Sequence, residues 1–276
     1  MRMTDSYLRM LFEESVRDFA DRVHSPADVF KLVRADTPEL PRYLKTLRVA
    51  AAHAAGKTES LRLCDLGGYY GVVTRAMAQL GYESHLVDAF GPLMDDPSHA
   101  DLRQWWDSTG LNAHDIDLQS RSLRLPFDDS SFDLVTLLAV IEHFPHSPRL
   151  VLEEARRILR PDGLLVVDTP NAGAFGNRIG FFRHGEGLWA PIRDLYASEI
   201  PFPGHKRCYS RRELVAVLKW AGLEPTDVVV FDPDGRVKHS GSLSARLLYD
   251  GVYPLIAPLF PDLRDYLWVS ARRRRE

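Results

Sequence analysis

Short apolar segments alternate with amphipathic segments through the middle of the chain, and this alternation constrains the fold more than any other feature. Leu61–Asp65, Ser84–Asp88 and Phe132–Val140 have the length of strands, and the last is nearly continuously apolar, as in a strand buried on both faces. Segments of helical length separate them, from about Val72 to Leu80 and from Pro148 to Leu159. Strands that alternate with helices in this way predict a mostly parallel sheet with helices on both faces.

Four further segments complete the predicted sheet. A third strand is expected within His114–Leu118 and a fifth over Leu164–Asp168, directly after the helix-stopping Pro161-Asp-Gly163. Val228–Phe231 and Tyr266–Ala271 resemble two last strands, which gives seven strands in all. The fold class is therefore α/β.

Residues 1–56 are expected to form an N-terminal helical cap, ahead of a main domain over residues 57–276. Apolar side chains recur there at helical spacing, at positions 8, 11, 12, 16, 19 and 23. A second helix start is indicated at Ser25-Pro-Ala-Asp28, and a third helix follows Pro41 and ends near Gly56. The cap carries no recognisable chemistry, so we interpret it as a cover or as the surface of a homodimer.

Composition excludes several classes of protein. The chain of 276 residues is 45% apolar and 26% charged with a net charge of −3, which is typical of a globular protein and gives no basic surface for nucleic acid. Cys64 and Cys208 have no metal-ligand spacing, and a reduced compartment is the simplest interpretation. Without a signal-peptide pattern or an apolar run of about 20 residues, the prediction is a cytoplasmic protein without membrane contact.

A glycine-rich turn, Asp65-Leu-Gly-Gly-Tyr-Tyr-Gly71, follows the first strand and opens a helix. Glycines at such a turn let the backbone approach a ligand, toward which the N–H groups of the helix point. A nicotinamide-dependent oxidoreductase would have G-x-G-x-x-G, but counting from Gly67 the required glycines are replaced by Tyr69 and Val72. An acidic Asp65 at the strand end also suits a cationic or amine-bearing ligand better than a pyrophosphate.

Asp88 ends the second strand about 20 residues beyond the turn, where an acid can accept hydrogen bonds from both hydroxyls of a ribose. The alternative is an acid that caps a helix or lies in an exposed loop. Together with the glycine-rich turn, its position favours a ribose-containing ligand.

The turn and Asp88 resemble motifs of class I S-adenosylmethionine-dependent methyltransferases, and three later segments do so in the same order: Leu125-Pro-Phe-Asp-Asp-Ser-Ser-Phe-Asp133, Val140-Ile-Glu-His143 and Leu159-Arg-Pro-Asp-Gly163. The resemblance covers about residues 61–171 and continues through residues 204–214, which are similar to a block of small-molecule O-methyltransferases. It implies a Rossmann-like fold, S-adenosylmethionine as cofactor, and methyl transfer to a small-molecule acceptor, at oxygen.

The resemblance also implies roles for individual residues. Asp65 and Gly67 would lie against the amino end of the methionine and the sugar, and Asp88 would hold the ribose hydroxyls. The family has glycine where Tyr69 stands, so the shape of this turn depends on Gly67, Gly68 and Gly71.

The adenine-contacting acid of the family is not evident before Leu-Pro-Phe. Arg121 occupies the nearest position, and Asp117 would serve only if the third strand has a different register. Since both this position and Tyr69 depart from the family pattern, a catalytically degenerate regulatory or scaffold protein on the same fold remains an alternative function.

Two histidines are candidates for the general base that an oxygen acceptor needs, because imidazole titrates near neutral pH. His143 follows the fourth strand, at the sheet edge where ligands bind, although the family's Glu-His pair also serves packing and cofactor positioning. His205 lies where the chain returns from a lid. Glu142 and His143 are only two potential ligands for a divalent ion, so no metal site is predicted.

The lid is predicted at residues 172–208, after the fifth strand. Its aromatic side chains are expected to line the acceptor pocket rather than only to close the core. They are at positions 175, 181, 182, 189, 196 and 202.

Overall fold

The computed structural model describes residues 3–23, 39–91, 99–185, 192–198, 204–233 and 247–274. The predicted helix start at Ser25–Asp28 lies outside these residues. The α-helices are α1 (Asp5–Arg22), α2 (Leu40–Ala54), α3 (Val72–Ala78), α4 (Ala100–Thr109), α5 (Arg149–Ile158), α6 (Phe175–His184), α7 (Ile192–Ala197), α8 (Arg211–Trp220) and α9 (Tyr253–Ile256).

The seven-stranded sheet confirms the predicted α/β, Rossmann-like class. Its strands are β1 (Leu61–Leu66), β2 (Tyr82–Asp88), β3 (Leu111–Asp115), β4 (Phe132–Leu138), β5 (Leu159–Pro170), β6 (Leu223–Phe231) and β7 (Tyr266–Arg273). Their order across the sheet is β3-β2-β1-β4-β5-β7-β6. The first five run parallel, and β7 is antiparallel to both β5 and β6.

Three strand predictions were wrong in their bounds, among them β6, which begins at Leu223 instead of Val228. β3 begins directly after Gly110, which ends α4 in a left-handed conformation, and so lies three residues before the predicted segment. β5 begins at Leu159 because Pro161–Gly163 stay extended as an irregularity in the pairing with β4 instead of forming a separate turn.

Alternate residues of each central strand face opposite layers, as the two-residue period of a strand requires. Cys64, Val135 and Val167 belong to a core that includes apolar residues of α5 and α8. Their neighbours Leu63, Leu134 and Val166 belong to a second core with α1, α2 and α3. Helices therefore cover both faces of the sheet.

The N-terminal helices share this second core with the sheet. Leu8 and Phe12 of α1 and Leu47 of α2 are buried in it together with Trp268 of β7. The indole N–H of Trp268 donates to Thr46 Oγ1 at 3.0 Å. α2 is consequently held against β7, and its first turn lies close to the carboxyl end of β5.

The segment after β5 forms α6 and α7 in its described parts. Phe175 at the start of α6 packs on Tyr249 and Tyr253, with ring centroids 5.4 and 5.2 Å apart. Among the helices of the described residues, none combines the length and the apolar composition that crossing a bilayer requires.

Candidate functional site

A cavity of about 890 Å³ lies at the carboxyl ends of β1, β2 and β4. In open α/β sheets, ligands bind outside these strand ends, at the point where the strand order reverses. Here the order reverses between β1 and β4, and residues after both strands line the cavity.

The glycine-rich turn forms one wall. Gly67 has a φ of +77°, and a Cβ added there would lie 2.5 Å from Val140 Cγ2. A Cβ on Gly68 would lie 2.5 Å from both Asp65 Oδ2 and Leu86 Cδ1. Both positions therefore exclude larger residues, and both glycines line the cavity.

Asp65 is buried below this turn and lines the cavity. Its two carboxylate oxygens accept hydrogen bonds from Thr136 Oγ1 and Thr74 Oγ1, each at 2.6 Å. Burial, together with the neighbouring carboxylates of Asp88 and Asp168, nevertheless raises the pKa of Asp65 to about 6. A cationic group in the cavity would favour the ionised form.

Asp88 lies at the end of β2 and lines the same cavity. The backbone N–H of Tyr69 donates to its Oδ2, and the N–H of Ala89 donates to its Oδ1, both at 2.8 Å. Burial raises the pKa of this carboxyl. Tyr69 has a φ of 55° and is a non-glycine residue in the left-handed region, at the position where the resemblance expects glycine.

The shifted third strand separates the two candidates for the adenine contact. Since β3 ends at Asp115, Asp117 lies just beyond the sheet edge and lines the cavity with Leu118 and Gln119. Arg121 is not among the described residues that line it. The position of Asp117 in the cavity wall is compatible with an adenine contact, which stays a prediction.

Both candidate bases line the same cavity, as does Glu142. The rings of His143 and His205 have centroids 4.8 Å apart in an edge-to-face arrangement. His205 Nε2 lies 3.9 Å from Glu142 Oε1. Burial raises the pKa of Glu142 to about 7, whereas burial and the charge of Lys206 lower the pKa of His205.

A further wall comes from the N-terminal part of the chain, where the sequence indicated no chemistry. Arg42 is buried and donates to Asp168 Oδ1 at 2.6 Å and to the Tyr43 hydroxyl at 2.9 Å. Its Nε lies 2.7 Å from Glu39 Oε2, and the Tyr266 hydroxyl donates to Glu39 Oε1 at 2.6 Å. Burial opposes the guanidinium charge, but the neighbouring carboxylates raise the pKa of Arg42 overall.

The lid aromatics that the structure describes do not line the cavity, in contrast to the sequence prediction. Phe175 is buried against Tyr249 and Tyr253, which lie outside the lid, whereas the side chains of Phe182 and Tyr196 are 88% and 91% exposed. Residues 189 and 202 lie outside the described part of the chain. The aromatic side chains that do line the cavity are Tyr43, Tyr69, Tyr70, Phe144 and Tyr266.

Comparison with known proteins identifies the family. A family model described as a methyltransferase domain matches residues 33–228, well over half of the chain. Over 134 residues the chain is 34% identical to a probable S-adenosylmethionine-dependent methyltransferase of Mycolicibacterium smegmatis, covering 46% of this chain and 45% of that protein. The chain belongs to the class I S-adenosylmethionine-dependent methyltransferases.

Two further matches agree with this assignment. The methyltransferase is 28% identical over 166 residues to a ubiquinone biosynthesis O-methyltransferase of Haemophilus ducreyi, covering 58% of this chain and 64% of that one. A crystal structure of an S-adenosylmethionine-dependent methyltransferase from Mesorhizobium loti has the same fold, with a TM-score of 0.52 at 17% identity over 86% of this chain and 99% of that one. The chain thus spans about half to two thirds of the length of these curated relatives.

The cavity fits the cofactor of this family. S-adenosylmethionine carries a sulfonium and an ammonium group, and the carboxylates of Asp65 and Asp88 line the cavity beside the close-approach backbone of Gly67 and Gly68. This agreement supports the choice of S-adenosylmethionine over a nicotinamide cofactor that the glycine spacing indicated.

Proposed function

We propose that the methyltransferase transfers the methyl group of S-adenosylmethionine to a hydroxyl of a small-molecule acceptor. The observation that carries the proposal is that the glycine-rich turn and the cluster of Glu142, His143 and His205 line one cavity. The O-methyltransferase named among the relatives supports oxygen as the methylated atom.

In this proposal, three acids each contact a different part of the cofactor. Asp88 holds the ribose hydroxyls, and Asp117, beyond the end of β3, contacts the adenine. Asp65, together with Gly67, lies nearest the methionine amino end. Gly68 and Gly71 shape the turn and leave its N–H groups to the ligand.

The acceptor occupies the part of the cavity next to the histidines. A volume of about 890 Å³ is at the upper end of the range for ligand pockets, about 300–1,000 Å³, so the cavity has room for two molecules. S-adenosylmethionine supplies a methyl group that its sulfonium already activates. The acceptor oxygen attacks the methyl carbon as the carbon–sulfur bond breaks toward sulfur, and the hydroxyl proton leaves toward the His143–His205 side.

We expect His143→Ala and His205→Ala each to lower kcat by about 10²–10⁴-fold, the usual contribution of acid–base catalysis. The affinity for S-adenosylhomocysteine should stay close to that of the wild type, because the proposal assigns neither residue to the cofactor. The assay is transfer of label from S-adenosylmethionine to a panel of hydroxylated acceptors. His146→Ala is the matched control, since His146 is exposed three residues from His143 and does not line the cavity. Equal losses in all three variants would contradict the assignment.

A catalytically degenerate binding protein is the second candidate. It is favoured by the two backbone N–H groups that already bind Asp88, one of them from Tyr69 in its left-handed conformation. Label transfer to any acceptor of the panel eliminates this candidate. Cofactor binding by a folded protein that methylates no member of the panel would favour it.

The remaining sequence-based expectations stay predictions. These are the boundary at residue 57, the lid at residues 172–208 as a cover of the acceptor, a homodimer, a cytoplasmic location and no binding of nucleic acid.

A further inference from the structure

The cluster beside the cavity joins potential metal ligands from two separate parts of the chain. Glu142 and His143 lie in the single 3-10 turn after β4, and His205 lies in the segment that leads to α8. One ligand atom from each residue lies within 4.8 Å of those of the other two. The sequence showed only the first two of these residues as ligands, and the fold supplies the third.

The carboxylate of Glu142 is only half satisfied by the protein. Its Oε2 accepts a hydrogen bond from Thr169 Oγ1 at 2.9 Å. Its Oε1 accepts no hydrogen bond from the described residues. Solvent does not reach it either, because Glu142 is 0% exposed. Buried polar atoms without a partner are rare in folded proteins because each costs roughly 1–3 kcal/mol.

The distances suit an ion better than a hydrogen bond. His205 Nε2 lies 3.9 Å from Glu142 Oε1, beyond the range of a hydrogen bond. A first-row metal ion binds nitrogen and oxygen ligands at about 2.0–2.2 Å, so two of its ligands lie roughly 3–4 Å apart. The observed 3.9 Å is near the upper end of this range, so a small rotation of the half-exposed His205 side chain would bring both atoms onto one ion.

The backbone holds the cluster in this arrangement. The N–H groups of Lys206 and Arg207 both donate to the carbonyl oxygen of Glu142, at 2.7 and 3.2 Å. His205 is thereby fixed beside the 3-10 turn, and Thr169 orients the carboxylate from β5. Such supporting hydrogen bonds are typical of metal sites.

We propose that Glu142, His143 and His205 bind a divalent transition-metal ion at the acceptor side of the cavity. Two imidazoles and one carboxylate on one side of an ion favour zinc, manganese, iron or cobalt over magnesium, which prefers oxygen ligands. All three residues line the cavity, so the remaining coordination positions face the acceptor. One part of this proposal rests on the proposed function: a bound ion would lower the pKa of the acceptor hydroxyl, and the proton would pass to solvent water because both histidines would then be metal ligands.

Cobalt(II) is the probe, because its absorption spectrum reports on nitrogen ligands. EDTA-treated, dialysed full-length protein should bind one equivalent of Co²⁺ with visible absorption bands. Glu142→Gln, His143→Ala and His205→Ala should each weaken this binding by at least about tenfold to 100-fold, the loss that even removal of a supporting residue causes. His205→Ala keeps the test decisive if Glu142→Gln fails to fold, since the His205 side chain is 41% exposed.

Two control variants separate this site from other histidines. His146→Ala removes an exposed loop imidazole, and His114→Ala removes one member of the His85–His114 pair, whose ring nitrogens lie 3.0 Å apart. Both variants should keep the wild-type affinity. Absence of saturable Co²⁺ binding by folded wild-type protein would overturn the proposal, as would binding that survives in all three cluster variants. The titration needs neither acceptor nor turnover. If no metal binds, the proposed methyl transfer with the histidines as bases is therefore not contradicted.

Discussion

Replacing Arg42 with methionine is expected to lower the free energy of unfolding by about 3–5 kcal/mol. Arg42 is 7% exposed and Asp168 is 0% exposed, and the guanidinium binds Asp168 Oδ1 at 2.6 Å. Methionine fills similar space but leaves the Asp168 carboxylate buried without its cationic partner. Urea unfolding at neutral pH, with wild type and variant compared, measures the loss.

Two further variants show whether the buried pair is responsible. Arg42→Met combined with Asp168→Asn should recover most of the stability, because no uncompensated charge remains. Arg48→Met removes an arginine from the same helix whose side chain is 52% exposed and pairs with Asp5, and it should cost less than about 1 kcal/mol. A loss in Arg42→Met no greater than in Arg48→Met would contradict the role of the pair.

Asp65→Asn is expected to stabilise the cofactor-free protein at pH 8 while it weakens cofactor binding. The folded protein raises the pKa of Asp65 from 3.8 to about 6, mainly through burial. An acid with a raised pKa stabilises the fold fully below its unfolded pKa, and this stability is lost as the pH rises through the folded value. A pKa difference of about two corresponds to about 3 kcal/mol, and asparagine, which does not ionise, avoids this cost.

The measurement is the difference in unfolding free energy between Asp65→Asn and wild type at pH 4 and at pH 8. The difference should shift by about 3 kcal/mol in favour of the variant at the higher pH. Asp128→Asn, at an exposed position outside the cavity, controls for the loss of one carboxylate. If Asp65→Asn has the same stability relative to wild type at both pH values, burial does not oppose the ionisation of Asp65.

The sheet and the cofactor side of the cavity could be predicted because each depends on a pattern within a short segment of the sequence. Apolar runs such as Phe132–Leu138 define buried strands wherever the chain places them, and an acid at the end of a parallel strand always reaches the same sheet edge. Asp65 and Asp88 followed directly from this rule. The bounds of β3 were wrong because its burial is partial, and that error alone obscured Asp117.

The proposed acceptor side could be predicted only in part: the sequence nominated His143 and His205, but their surroundings depend on contacts between distant segments. Nothing in the sequence around Arg42 indicates that its partner is Asp168, and nothing around Glu142 indicates that backbone N–H groups after His205 bind its carbonyl. The aromatic composition of the lid did not predict which side chains line the cavity. Phe182, for example, is exposed, and composition alone does not distinguish an exposed aromatic residue from one that lines a pocket.

The central claim is that the cofactor binds at the glycine-rich turn with its ribose on Asp88. Calorimetric titration of wild type and Asp88→Asn with S-adenosylhomocysteine, with NAD as the control ligand, tests it most directly. We expect saturable binding of S-adenosylhomocysteine, and not of NAD, to the wild type, weakened in the variant by about 1.5–3 kcal/mol, the value of a hydrogen bond to a charged group. Unchanged affinity in a folded Asp88→Asn variant, or equal binding of NAD, would contradict it.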